Sequence, residues 1–163
     1  MEDRYAIMHW RNEQMYHLRQ DKILTQEDQD QYFTEVVLRL FDREQPEQIL
    51  FSYLEGTMCI GYGGLVHINW KDLNAEISFI MDTSREKEEF EKHWSLYLKM
   101  IEEVAFTELK FHKLYTYAFD LRPVLYDMLI RAGYNHEARL KEHVLYQGQY
   151  IDVVINSKLF EQN

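Results

Sequence analysis

Cysteine, proline and glycine are all scarce in this chain, with one, two and six copies in 163 residues. The lone cysteine, Cys59 in "GTMCIGY", excludes a disulfide framework and any Cys-x-x-Cys metal knuckle, and reads as a small buried hydrophobe. The seven histidines show no HExxH or similar spacing, so no metal is expected. No repeat, low-complexity tract or interdomain linker is present, no signal peptide is visible, and no apolar run approaches the ~20 residues of a membrane helix. Basic residues are short as well. Eighteen Lys and Arg face 28 Asp and Glu, giving a net charge of −10 and a pI near 5.1. That balance excludes non-specific nucleic-acid binding and requires a locally positive site for any anionic ligand. The expectation is a protein of a reducing, cytoplasmic compartment, with neither nucleic acid nor membrane as partner.

What the chain does contain is apolar surface: 46% hydrophobic and 15% aromatic residues, enough for the core of one domain spanning 1–163. Asp3 precedes a helical stretch, "RYAIMHWRNEQMYHL", with Ala6, Ile7 and Trp10 on one stripe. Thr25 opens a second, in which Tyr32, Phe33, Val36, Val37, Leu40 and Phe41 mark the buried face and Pro46 the end. Three strand-like runs follow, "QILFSYLE", "MCIGYGGLVHINW" and "NAEISFIM", joined by short turns as in an antiparallel meander. The third alternates: Ala75, Ile77, Phe79 and Met81 on one side, Asn74, Glu76, Ser78 and Ile80 on the other. A long helix carries the stripe Phe90, Trp94, Tyr97, Leu98, Ile101, Val104 and Ala105. The strand "KLYTYAFD", a short helix from Pro123 to just before Gly133, and the hairpin "HVLYQGQYIDVVIN" complete an α-α-β-β-β-α-β-α-β-β order. This is an α+β arrangement.

Four stretches, "HWRNEQ", "CIGYGGL", "VAFTELKFHKLY" and "AGYNHEARLKEHVLYQGQYIDVVINSKL", resemble the GNAT superfamily of N-acetyltransferases, and in particular its ribosomal-protein and amino-sugar branch. The resemblance spans residues 9 to 159. It implies a mixed, mostly antiparallel sheet with a splayed central strand pair and flanking helices, acetyl-coenzyme A as donor and a primary amine as acceptor. The amine attacks the thioester directly, so such an enzyme mainly positions reactants and manages a proton. The resemblance also places Phe79, Ile80 and Met81 along the pantetheine arm and leaves a homodimer open. The family's opening strand has no counterpart before the first helix.

The pyrophosphate loop departs from the family. Glycines there let backbone N–H groups close around phosphate, but "DTSREKEEFEKH" has none, and Phe90, Lys92 and Trp94 occupy the glycine positions. "TSRE" reads instead as a capping box, with Thr83 as cap and Glu86 reaching back. That leaves Ser84, Arg85 and Lys92, with Lys87, as the phosphate-facing candidates, the cations acting as point charges. Arg122 stands where many members carry Asn, and Leu129 where many carry an acid Tyr; Tyr126, one turn earlier on the same face, is the substitute.

For proton chemistry, Glu76 on the polar face of the third strand is either the general base or the partner of a neighbouring Arg or His. His67 on the preceding strand is a second candidate base. Arg11 and Asn12 in the first helix, with His67, Ser78 and Tyr117, form the expected acceptor side. Trp10 and His112 are read as structural, Tyr115 as a cleft neighbour, and Asp152 as a shaping residue. Three functions remain open: acetylation of a small amine such as a nucleotide-linked amino sugar, acetylation of a protein N-terminus, or a binding module that has lost coenzyme A.

Overall fold

The computed structural model describes residues 2–160. Helix α1, Arg4–Glu13, buries Ile7 and Trp10 but leaves Ala6 exposed. It stops earlier than the periodicity suggests, followed by a single 3₁₀ turn, Met15–His17. The buried Gln14 side chain donates to Met81 O at 2.7 Å and to Thr83 Oγ1 at 3.1 Å, tying the helix end to the sheet. Asp3 makes no side-chain cap; its carboxylate accepts from Ser52 Oγ at 2.7 Å.

Helix α2, Gln26–Tyr32, opens on a capping box between Thr25 and Asp28 and runs through a π turn, Phe33–Val37, into α3, Leu38–Leu40. The wider π turn carries later residues off the 3.6 rhythm. Phe33 and Val37 are buried, whereas Val36 and Phe41, expected inside, are exposed.

Six strands form one sheet in the order β1-β2-β3-β4-β6-β5. β1 (Ile49–Glu55), β2 (Met58–Asn69) and β3 (Asn74–Met81) make the expected meander. β4 (Lys113–Phe119) lies parallel to β3, and β5 (Asn135–Tyr146) and β6 (Gln149–Leu159) form the closing hairpin. That hairpin begins at Asn135, well before the expected His143. Its tip is the two-residue turn Gln147-Gly148, both at positive φ (48° and 80°), as a turn matching the strand twist requires.

Helix α4, Thr83–Glu102, extended by a π turn, Glu103–Glu108, crosses from β3 to β4. Helix α5, Pro123–Arg131, has proline in its first turn, and Gly133 (φ 87°) lies just past its end.

Strand β3 separates two cores, as its alternation implies. Ala75, Ile77, Phe79 and Met81 pack with Trp94, Tyr97, Leu98 and Ile101 of α4 and Leu125, Met128 and Leu129 of α5. On the opposite face Ile80 packs with Ile7, Trp10, Phe33 and Val37, and the half-buried Cys59 leans on this group. Helices on both faces of a largely antiparallel sheet confirm the α+β class. Among the described residues no helix is long and apolar enough to cross a membrane.

Candidate active site

Strands β3 and β4 pair only through Asn74–Glu76 and Lys113–Tyr115. Beyond Glu76 they diverge, and the gap between them is a cleft of about 410 Å³. A Cβ added at Gly63 would stand 2.1 Å from Ser78 O, and one at Gly61 2.9 Å from Ile80 O, so these carbonyls face β2. By strand alternation the backbone groups of Ile77 and Phe79 turn towards β4, where no strand pairs with them. The splay therefore presents a short unpaired edge.

A bulge shapes the upper wall. Val66 pairs with Glu76 and Asn69 with Asn74, so β2 carries one extra residue there. Strict alternation would send His67 to the core side beside Leu65. The bulge, with His67 at φ 48°, turns it to the cleft face and returns Ile68 to the first core. Bulges commonly re-aim a side chain in this way. His67 Nδ1 lies 2.7 Å from Glu76 Oε2. Since an ionised carboxylate only accepts, Nδ1 donates in this contact, which leaves Nε2 of the neutral tautomer as the acceptor.

Glu76 is buried, and its other oxygen accepts from Arg19 Nη2. The Arg19 guanidinium in turn lies over the Tyr117 ring, 4.6 Å from its centroid. Glu76 thus pairs with both an Arg and a His, while lying in the cleft.

At the other end of the cleft stands Arg122, whose side chain is only 10% exposed. It donates to Glu86 Oε1, lies over Phe90 at 5.0 Å and stands 3.2 Å from both His17 ring nitrogens. Burial, and then the Arg122 charge, lower the His17 pKa to about 3, so that ring is neutral. Burial raises Glu86 and Arg122 opposes that rise.

The glycine-free segment is helical from Thr83, as its capping signal suggests, but the cap is Asp82. Its carboxylate accepts from Ser84 N at 2.9 Å. Thr83 is engaged by Gln14, and Glu86 reaches Arg122 instead of the helix start. The helix breaks at Glu89 (φ −125°, ψ 23°), whose carboxylate accepts from Lys92 and His93.

Of the residues expected in the site, Arg11, His67, Glu76, Ser78, Phe79 and Tyr117 line the cleft. Asn12 does not; it fixes the following loop through Leu24 N and O. The Ile80 side chain lies in the second core, and Met81 O is taken by Gln14. Ser84 bonds back to Asp82, Arg85 pairs with Glu55, and Lys92 with Glu89. Tyr126 packs on the first core, and its hydroxyl donates to Phe119 O at 3.1 Å; burial raises its pKa. Asp152 pairs with Arg139 and accepts from Glu142 N. Arg19, His17 and Gln48 also line the cleft and carry no local sequence signal. They follow an α1 that ends early, or lie in a loop, where periodicity is silent.

A family profile for the acetyltransferase (GNAT) domain matches residues 1–155. The chain belongs to the GNAT acetyltransferases. Among solved structures, spermidine N-acetyltransferase from Vibrio cholerae in complex with CoA and spermine is 19% identical, with a TM-score of 0.83 over 97% of this chain and 90% of that one. A dodecameric spermidine N-acetyltransferase from the same organism, in an intermediate state, is 19% identical, with a TM-score of 0.77 over 97% and 88%. No curated protein sequence matches the chain.

This GNAT protein is an N-acetyltransferase with acetyl-coenzyme A as co-substrate. Its residues fit that donor unevenly. The unpaired edge at Ile77 and Phe79 suits an amide-bearing arm, which can bond as an extra strand. The segment expected to face the diphosphate carries no glycine nest, and the cations in and beside it are paired: Arg85 with Glu55, Lys92 with Glu89 and Arg122 with Glu86.

Proposed function

We propose that this GNAT enzyme acetylates the primary amine of a small molecule bound between α1 and the splayed strands, with a nucleotide-linked amino sugar as the acceptor class. The observation that carries the reading is the His67–Glu76 pair, set by a bulge at the point where β3 and β4 part. Acetyl-coenzyme A supplies an activated thioester when bound.

The acceptor amine must shed a proton as its nitrogen bonds to the acetyl carbon, and His67 Nε2 receives it. Glu76 fixes the imidazole tautomer and favours the imidazolium that forms, as the carboxylate of a catalytic triad does. Glu76, the base expected on sequence grounds, thereby becomes a positioning residue. Arg19 offsets the remaining charge of Glu76 and holds it in place. Tyr126 is the candidate acid for the leaving thiolate; it stands outside the cleft lining, and its hydroxyl, which donates to Phe119 O, must turn from that carbonyl into the cleft to deliver its proton.

A polyamine acceptor is the second reading, favoured by the neighbours named above. It fits the cleft less well, because Glu76, the carboxylate lining it, is already engaged by Arg19 and His67, and Arg11 lines it with no carboxylate at ion-pair distance among the described residues. The test measures thiol release from acetyl-coenzyme A with amino sugars, their nucleotide conjugates and spermidine. Amino-sugar turnover that collapses in His67→Ala supports the reading; a strong preference for spermidine overturns the acceptor class.

A further inference from the structure

Two of the three guanidinium groups in the cleft are neutralised, Arg19 by Glu76 and Arg122 by Glu86. Arg11 is different. It lines both the cleft and an adjoining cavity of about 170 Å³ between α1, α2 and β2. Its Nε donates to Gln20 Oε1 at 3.1 Å, and among the described residues it has no carboxylate at ion-pair distance. Asp28, which lines the same small cavity, is held by Lys22 and by the Thr25 capping box.

A second orphan lies alongside. The Tyr62 hydroxyl is buried with no hydrogen-bond partner and belongs to the same small cavity. Thr116 Oγ1, also buried and without a partner, belongs to a residue that lines the main cleft. A desolvated cation without a counter-charge is costly, and burial lowers the Arg11 pKa accordingly. Buried polar groups are normally satisfied. Donors left over beside a binding cleft therefore point to a group that arrives with a ligand. A guanidinium fork matches the paired oxygens of carboxylate and phosphate alike.

We propose that Arg11 forms an anion subsite on the acceptor side of the cleft, and that the acceptor is an amine that also bears a phosphate or carboxylate. This rests on the acetyl-acceptor reading above and deepens it: Arg11 meets the acidic group that such an acceptor carries, while its amine is presented to His67.

Two measurements decide it, one of them independent of turnover. Inorganic phosphate is titrated calorimetrically into wild type, Arg11→Gln and Arg11→Lys, with coenzyme A present throughout to fill the donor site. Phosphate binding should weaken at least tenfold in Arg11→Gln and recover in part in Arg11→Lys, which restores the charge without the fork. Equal binding by wild type and Arg11→Gln overturns the subsite.

The second measurement compares matched acceptors: glucosamine against glucosamine 6-phosphate, and tyramine against tyrosine. Wild type should favour the acidic member of at least one pair by tenfold or more in kcat/KM, the preferred pair distinguishing phosphate from carboxylate. Arg11→Gln should bring that ratio towards one. A ratio near one in wild type, or faster turnover of spermidine than of either acidic member, overturns the proposal. Failure of all these amines to react sinks the acceptor reading alone, and the phosphate titration still decides the subsite.

Discussion

His67 holds a left-handed backbone (φ 48°), a conformation costing a non-glycine residue on the order of 1–3 kcal/mol. The strain keeps an imidazole on the cleft face where β-alternation would bury it. Removing the ring by His67→Ala should lower turnover roughly 10²–10⁴-fold at neutral pH. His67→Gly should lose as much activity yet be more stable than His67→Ala by about 1 kcal/mol, since glycine accepts this backbone freely. Turnover assays and thermal melts of the two variants separate the roles; an active His67→Ala would move the base elsewhere. His17 supplies a pH signature. Its folded pKa, about 3 against 6.5 for the exposed ring, is depressed by burial and by Arg122. The unfolded chain therefore takes up the extra proton first. The stability contributed by the neutral ring is complete above about pH 6.5 and is lost as pH falls towards 3, by at most about 1.4 kcal/mol per pH unit. Urea midpoints between pH 7 and 4 should fall less steeply in His17→Gln; an unchanged slope would assign the acid sensitivity to other groups.

The start of α4 shows where sequence reasoning reaches and where it stops. Helix from Thr83 onward was legible, because polar capping residues precede an apolar stripe at helical spacing. The cap itself was not: Asp82 and Thr83 both qualify locally, and Gln14, far away in sequence, engages Thr83. The same limit applies to α2, where a π turn that no periodicity announces moves Val36 and Phe41 outward. In the site, Glu76 and His67 were legible as polar residues on adjacent strands. Arg19 was not, since only the fold brings the segment after the 3₁₀ turn, and with it the Arg19 guanidinium, over Tyr117. The Glu86–Arg122 pair is likewise tertiary, and it carries a prediction. Both side chains are nearly nine-tenths buried, so Glu86→Gln leaves a desolvated guanidinium without its counter-charge. The variant should be less stable on its own, by about 1–3 kcal/mol. It should also gain more from coenzyme A than wild type, because an incoming phosphate no longer competes with a carboxylate for Arg122. Melting with and without coenzyme A measures both effects. Equal ligand-induced shifts in the two proteins would show that the donor's phosphates do not meet Arg122.

Taken whole, the sheet is two half-sheets, β1-β2-β3 and β4-β6-β5, joined by three pairs of residues and by the helices that span both. The first core holds the joint together from one side, with Phe79 stacked on Tyr97 at 3.9 Å and Leu125, Met128 and Leu129 of α5 packed alongside. Above that core the edge residues Ile77 and Phe79 have no strand partner towards β4. Backbone amides without a hydrogen-bond partner exchange rapidly with solvent unless something covers them, and protection follows local structure rather than global stability. Coenzyme A added to the protein should therefore slow hydrogen exchange in peptides covering residues 77–81 and 116–119, the two walls of the splay. Peptides covering β1 and the first half of β2, already paired on the far side of the sheet, should change little. Stabilisation of the whole fold should follow the ligand concentration as binding to the native state alone requires, about 2.7 kcal/mol at a hundred times the dissociation constant. Protection spread evenly along the chain would mean that the ligand merely suppresses global unfolding. No protection at 77–81, with binding shown independently, would place the donor outside the splay and remove the unpaired edge from the account of how this enzyme holds its acetyl group.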